Sequence, residues 1–268
     1  MKTYLDLLKI LPKTNCKECG LESCLLFALK VFSREISPEK CPYLDLKKLP
    51  FEFSSSSLTF NQLLENLKFL KGKFKEVNLL ERAPQLGGHV DFEKRIVLIP
   101  YMDKNIVITL TEEGYPLEIV KDRSSLDPRD EILLCNYFIF NGREALSEDF
   151  AGLEAFPHSL SKVKTLKLYA EAPLAEFINS CREGFSQLLN GFRIEAYEES
   201  SSGLSFTVWA LPRVPMKVVF WAGDEEEGLS PSCKILYNKK ALSYLDLECL
   251  VFCAERFYEI LQERAKGL

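Results

Sequence analysis

Histidine, methionine and tryptophan are scarce in this chain of 268 residues, which holds two, three and two of them. With His89 and His158 as the only imidazoles, acid-base catalysis and histidine-rich metal sites have little to draw on. Neither histidine has a Ser, Asp or Glu partner at a telling spacing, so both read as turn residues. Glycine-rich phosphate loops are missing too. LGGH at 86–89 has neither P-loop length nor G-x-G-x-x-G spacing, and nucleotide binding gains no support. There is no surplus of positive charge: 34 basic against 39 acidic residues leave a net charge of -5. That balance argues against nucleic acid or an anionic membrane as the main partner. No stretch approaches the roughly 18 to 20 uncharged apolar residues that span a bilayer. Asp6 and Lys9 interrupt MKTYLDLLKILPKTN before it reaches the length of a signal-peptide core. The expectation is a cytoplasmic protein without membrane insertion.

Cysteine is what the chain does have: nine in all, four of them within residues 16–41. A reducing compartment disfavours structural disulfides, and an intracellular cluster of cysteines points to metal. Cys16, Cys19, Cys24 and Cys41 follow C-x2-C-x4-C-x16-C with no histidine nearby. Structural zinc sites usually pair two C-x-x-C knuckles, or one with histidines, whereas only Cys16 and Cys19 form such a knuckle here. Three ligands from one loop suit a larger object, a cubane held by four thiolates. Spacing therefore favours [4Fe-4S] and leaves zinc open, with uncoordinated thiols third.

The stretch LPKTNCKECGLESCLLFALKV and the later PEKCP resemble the four-cysteine [4Fe-4S] module at the front of the corrinoid iron-sulfur protein large subunit. A similar form occurs in the Rnf electron-transport complex. The likeness covers about residues 1–45. It implies that Cys16, Cys19, Cys24 and Cys41 are the cluster ligands. One position departs: the family usually has Gly after the first cysteine, and this chain has Lys17. A cation there favours the reduced cluster and raises its potential, with exposure screening much of the effect. Loop amides around Gly20 are further candidates for tuning the sulfurs.

The expected fold class is α+β: a small, mainly helical iron-sulfur domain over 1–50, a linker and connecting helix over 51–80, and a larger α+β domain over 81–268. In the first part, Tyr4, Leu7, Leu8 and Leu11 recur at helical spacing until Pro12. A second helix starts near Glu22 with Leu21, Cys24, Leu25, Ala28, Leu29 and Phe32 on its buried stripe. Cys24 then lies near a helix N-terminus, where a thiolate is favoured. FEFSSSS (51–57) reads as the linker. Thr59 and Gln62 form a capping box for a helix carrying Phe60, Leu63, Leu64, Leu67, Leu70 and Phe74.

Beyond it, GGHVDF, RIVLIPYM, KNIVITL and YPLEIV predict a small antiparallel meander. DPRDEILLCNYFIFNG predicts a buried helix that Asp127 caps and Pro128 opens, stopping near Gly142. A single amphipathic helix is expected over EAPLAEFINSCREGFSQLLNG, with Leu174, Phe177, Ile178, Cys181, Phe185, Leu188 and Leu189 on one stripe. FRIEAYE, GLSFTVWAL and VVFW read as strands, the second turning Leu204, Phe206, Val208 and Ala210 to one side. A closing helix turns Leu250, Cys253, Ala254, Phe257, Ile260 and Leu261 inward. Separate runs of helices and antiparallel strands favour α+β over a doubly wound fold.

Other groups in the larger part read as structural. The acidic turn AGDEEEG (222–228) offers oxygen ligands to a cation but fits a solvated turn better. Asp246 and Glu248 are helix-start residues. Cys249 and Cys253 lack a basic neighbour and read as buried thiols. Roughly residues 81–265 resemble an uncharacterised domain family that accompanies the cysteine module in anaerobic prokaryotes, through EILLCNYFIF, LPRVPMKVVFWAGDEEE with KILYN, and the closing LDLE helix. The family brings no activity with it.

The leading functional expectation is a low-potential electron-transfer or redox accessory protein of anaerobic metabolism, working with a redox partner protein. The resemblance points to a corrinoid protein as that partner and to one-carbon chemistry as the setting. The alternatives are a cluster-stabilised binding or redox-sensing protein without turnover, a structural zinc protein, and an enzyme whose reaction lies in the larger domain. No catalytic constellation is identified.

Overall fold

The computed structural model describes residues 4–32, 36, 38–48, 60–120, 126–224 and 228–267. The serine linker at 51–57, the capping residue Thr59, acidic residues 225–227, and the side chains of Tyr4, Phe32 and Phe60 lie outside the described residues.

Two short helices organise the front of the chain, α1 (Tyr4–Ile10) and α2 (Cys24–Phe32), followed by single 3-10 turns at Pro38–Lys40 and Leu46–Lys48. They share a small core of Leu7, Leu11, Cys24, Phe27, Ala28, Val31, Cys41 and Leu44. The buried stripe of α2 differs from the predicted one: Leu25 and Leu29 are exposed, while Phe27 and Val31 are buried. Positions 24, 27, 28 and 31 share one helical face with Cys24. The phenylalanine fills more of that face than either leucine, which settles the rotation of the helix.

The larger body begins with α3 (Phe60–Phe74) and α4 (Leu79–Gln85). Leu63, Leu67 and Phe74 of α3 are buried in the same core as the sheets, and Leu64 is exposed. The expected meander is present as β1 (His89–Asp91), β2 (Ile96–Tyr101), β3 (Lys104–Leu110) and β4 (Pro116–Val120), antiparallel in sequence order. Alternation turns Val97, Ile99 and Tyr101 of β2 fully inward. Next, α5 (Pro128–Phe140) has Asp127 as N-cap, Pro128 in its first turn and Asn141 in the left-handed conformation as its cap, one residue before Gly142. It is buried on nearly every side from Arg129 to Phe138.

A second sheet holds β5 (Phe150–Gly152), β6 (Ile194–Ser200), β7 (Gly203–Leu211), β8 (Val214–Trp221) and β9 (Ser232–Asn238), in the order β5-β9-β8-β7-β6 and all antiparallel. Its first two strands in that order go beyond the sequence expectation: β5 is three residues long, and β9 contains the KILYN stretch. Between β5 and β6 the expected single helix is broken. The helix α6 (Leu160–Leu166) runs through a π-helical turn at Lys167–Glu171 into α7 (Ala172–Ser180). It stops at Cys181, and α8 (Phe185–Leu188) follows a 3-10 turn at Arg182–Gly184. The i, i+4 stripe continued across this break because Phe185 and Leu188 still reach the core, but through a new turn rather than one rod.

The chain closes with α9 (Leu247–Lys266), whose predicted inward residues are all buried. The two sheets are joined where the Met102 N–H donates to the Ala210 carbonyl at 2.9 Å. The architecture is α+β, a short helical front followed by a larger body of two antiparallel sheets and packed helices.

Candidate iron-sulfur site

The cysteine loop is built by unusual backbone. Lys13, Asn15, Lys17 and Gly20 all have positive φ, at 58°, 48°, 64° and 78°, while the residues between them do not. Such alternation of hand is the pattern from which anion-binding nests of N–H groups are made. It also explains the family's preference at position 17: a left-handed residue is easiest for glycine, and Lys17 occupies it as an L-residue. The Gly20 N–H closes a turn onto the Lys17 carbonyl at 2.8 Å, placing Cys19 inside that turn.

Asn15 ties this loop to α2. Its Oδ1 accepts the Cys24 N–H at 2.8 Å, and Ser23 Oγ accepts the Leu26 N–H at 3.1 Å, so two free amides of the helix start are satisfied by side chains. Cys24 is thus held as the first residue of α2, close to the expected start. On the opposite side, Tyr43 Oη donates to Glu18 Oε1 at 2.8 Å and binds the Cys41 segment to the loop between Cys16 and Cys19.

Cys16, Cys19, Cys24 and Cys41 all line one cavity, together with Pro12, Lys17 and Phe27 among its walls. Cys16 is exposed, Cys19 half-buried, and Cys24 and Cys41 buried. Burial pushes the Cys41 thiol up, the Tyr43 N–H pulls it down, and the charges of Cys19, Cys24 and Cys16 push it up again. Four thiolates facing one space repel one another unless cationic iron sits among them. The donor set therefore fits an iron-sulfur group: four soft thiolates, one of them exposed, and the Tyr43 N–H at the Cys41 sulfur. Among the described residues no group of three or more His, Cys, Asp or Glu closes to single-ion spacing.

The remaining candidates hold structural positions. Cys249 and Cys253 are fully buried, and burial raises both thiols. Asp246 caps α9 by accepting the Cys249 N–H at 2.8 Å, and Glu248 pairs with Lys162. His89 opens β1 and His158 has φ of 59°, both exposed. In the acidic turn, Asp224 and Leu229 exchange backbone hydrogen bonds at 2.9 and 2.8 Å.

A charged network inside the larger body escaped the sequence reading. Asp130, 1% exposed, accepts from Tyr101 Oη at 2.5 Å and from Arg256 Nε at 2.8 Å. Arg129 reaches Asp127, Glu255 and Glu259 with five hydrogen bonds of its guanidinium. Burial works against the Asp127 carboxylate, but the hydrogen bonds and charge of Arg129 outweigh it and hold Asp127 below the ordinary range. Burial and the Asp130 charge keep Tyr101 protonated. The signal was present as charges at DPRD and ERFYE inside otherwise apolar helices.

With this geometry in view, comparison with known proteins gives two separate family matches along the chain. Residues 78–259 match the family model "Domain of unknown function (DUF3786)", and the chain belongs to that family. Residues 11–43 match the model described as "Putative Fe-S cluster". The same front region is 48% identical over 44 residues to the acetyl-CoA decarbonylase/synthase complex subunit gamma of Methanocaldococcus jannaschii, covering 16% of this chain and 9% of that protein. It is also 48% identical over 42 residues to the corrinoid/iron-sulfur protein large subunit of Moorella thermoacetica, again 16% of this chain and 9% of the relative. A longer match, 31% identical over 90 residues, reaches 33% of this chain and 18% of the gamma subunit of Archaeoglobus fulgidus. The chain thus spans only a small part of the curated relatives it matches. No solved structure matches it.

Proposed function

We propose that Cys16, Cys19, Cys24 and Cys41 hold a [4Fe-4S] cluster and that the protein passes single electrons to or from a partner in anaerobic one-carbon metabolism, with a corrinoid protein as the candidate partner. The observation that carries this reading is the convergence of all four cysteines on one cavity at the wet edge of the small front core. The names of the front region's relatives, a corrinoid/iron-sulfur large subunit and the gamma subunits, support the setting. When bound, the cluster supplies a one-electron couple. This chain's residues do the rest. Asn15 and Ser23 fix the start of α2, the left-handed loop presents N–H groups, Tyr43 and Glu18 close the far side, and Lys17 adds a cation. Cys16 gives the exposed side by which a partner approaches.

In this reading residues 1–50 form the redox module, 51–80 connect it, and 81–268 form the body that docks the partner or a small molecule. The site of action is the cytoplasm, in keeping with nine free thiols; among the described residues no helix is long and apolar enough to cross a membrane.

A second reading has its own support. Of the eight buried residues in the front core, two are proposed ligands. A core so small needs a staple, and the cluster serves as one even if it never turns over. Anaerobic purification with iron and acid-labile sulfide assays, followed by EPR after dithionite, separates the cases. Near four irons and four sulfides per chain with a reversible EPR signal is the expected result. A redox-silent cluster supports the structural role, and stoichiometric zinc without sulfide in folded protein overturns the cluster.

A further inference from the structure

The geometry points to a second binding site, in the larger body, for a small organic anion with a flat or apolar portion. A cleft of about 300 Å³ opens at the seam of the two sheets, where the turn before β1, the end of β2 and the β7–β8 turn meet. Its walls include Met102, Trp209 and Pro212, with Arg193 and Arg213 and no acidic residue. That combination suits a ligand with an anionic end and a ring or short apolar body, since guanidinium groups bind carboxylate or phosphate through paired N–H donors. The volume lies at the small end of ligand pockets, enough for one ring with its anionic group.

The two arginines have different roles. Arg193 lies over the Trp209 ring at 3.9 Å from the centroid and donates to Glu195 Oε1 at 2.6 and 3.0 Å. It is already positioned by those contacts. Arg213 is exposed and makes no ion pair with a described residue, and its charge also acts on Tyr137 and Tyr244 behind the turn. The indole N–H of Trp209 is itself buried and closed to solvent, so the residue offers the cleft apolar ring surface.

The cleft is rigid where it closes. Gly87 has φ of 83°, and a Cβ at this position would stand 2.5 Å from Pro212 Cβ, so the two turns meet backbone to ring. The Met102 to Ala210 hydrogen bond fixes the two sheets beside it. Little ordering of the protein is then needed when a ligand enters. The proposal is independent of the cluster, because no cysteine lines the cleft.

The test is calorimetric titration of the full chain with phenyl phosphate, benzoate and inorganic phosphate, with indole fluorescence as a second readout. Saturable 1:1 binding of phenyl phosphate or benzoate is expected, and whichever binds tighter assigns the anion. Arg213→Gln should weaken it about tenfold or more, as loss of a charge-assisted hydrogen bond implies, while circular dichroism and the melting midpoint stay unchanged. Arg213→Lys, which keeps the charge but not the fork, should fall between. Absence of saturable binding to both ring-bearing anions, equal affinity in Arg213→Gln, or equally tight inorganic phosphate would overturn the proposal.

Discussion

Lys17 shows how one side chain carries both a conformational and an electrostatic signature. Its φ of 64° lies in the region that costs an L-residue about 1 kcal/mol relative to glycine, and its charge stands beside the proposed cluster. Lys17→Gly should relieve the strain, partly offset by the greater freedom of glycine in the unfolded chain. It should also lower the midpoint potential, by a small amount because an exposed cation is screened. EPR-monitored potentiometry measures this, and Lys17→Gln separates charge from backbone. A potential unchanged in both variants would remove Lys17 from the tuning of the cluster. The departure from glycine was legible in the letters, but the reason glycine is preferred there was not, because a φ angle is not written in a spacing.

At the scale of elements, α5 and α9 are fastened by charge as well as by apolar packing. Asp130 and Arg256 are both buried, so removing one charge strands the other in a low-dielectric interior. Asp130→Asn is expected to cost roughly 3 to 5 kcal/mol in urea unfolding; a loss near zero would mean that water reaches the pair. Asp127 adds a pH dependence whose sign follows from its lowered folded-state value. Its contribution is present above the unfolded carboxyl value of 3.8 and is lost as pH falls through the folded one. The stability gap between wild type and Asp127→Asn should therefore shrink below pH 3.8, the asparagine still serving as a cap. A gap constant from pH 6 to pH 3 would speak against the pairing. Periodicity located both helices and their inward residues, because burial of an apolar stripe leaves a 3.6-residue pattern. It passed over the ion network, whose ties between α5 and α9 join residues more than a hundred positions apart, and it ran α7 and α8 together, since the break at Cys181 leaves the apolar spacing intact.

Over the whole molecule, two separate buried clusters, one at the front and one in the larger body, place their stabilities on different foundations. Removing the cluster with a chelator under oxidation, or substituting Cys41→Ser, should unfold the front module alone. The larger body should keep its helix and strand signal and its melting midpoint within a few degrees. Calorimetry showing loss of a small early transition supports this, whereas collapse of the main transition would mean the cluster stabilises both. The spacing of the four front cysteines, the α+β class and most elements were legible in the letters, because cysteine spacing and hydrophobic period act over short range. That four cysteines share one cavity, that two sheets rather than one fill the larger body, and that Arg193, Trp209 and Arg213 meet Gly87 and Met102 at a cleft between the sheets came only with the folded chain. Those are relations between segments far apart in the chain, and they exist only once the core has closed.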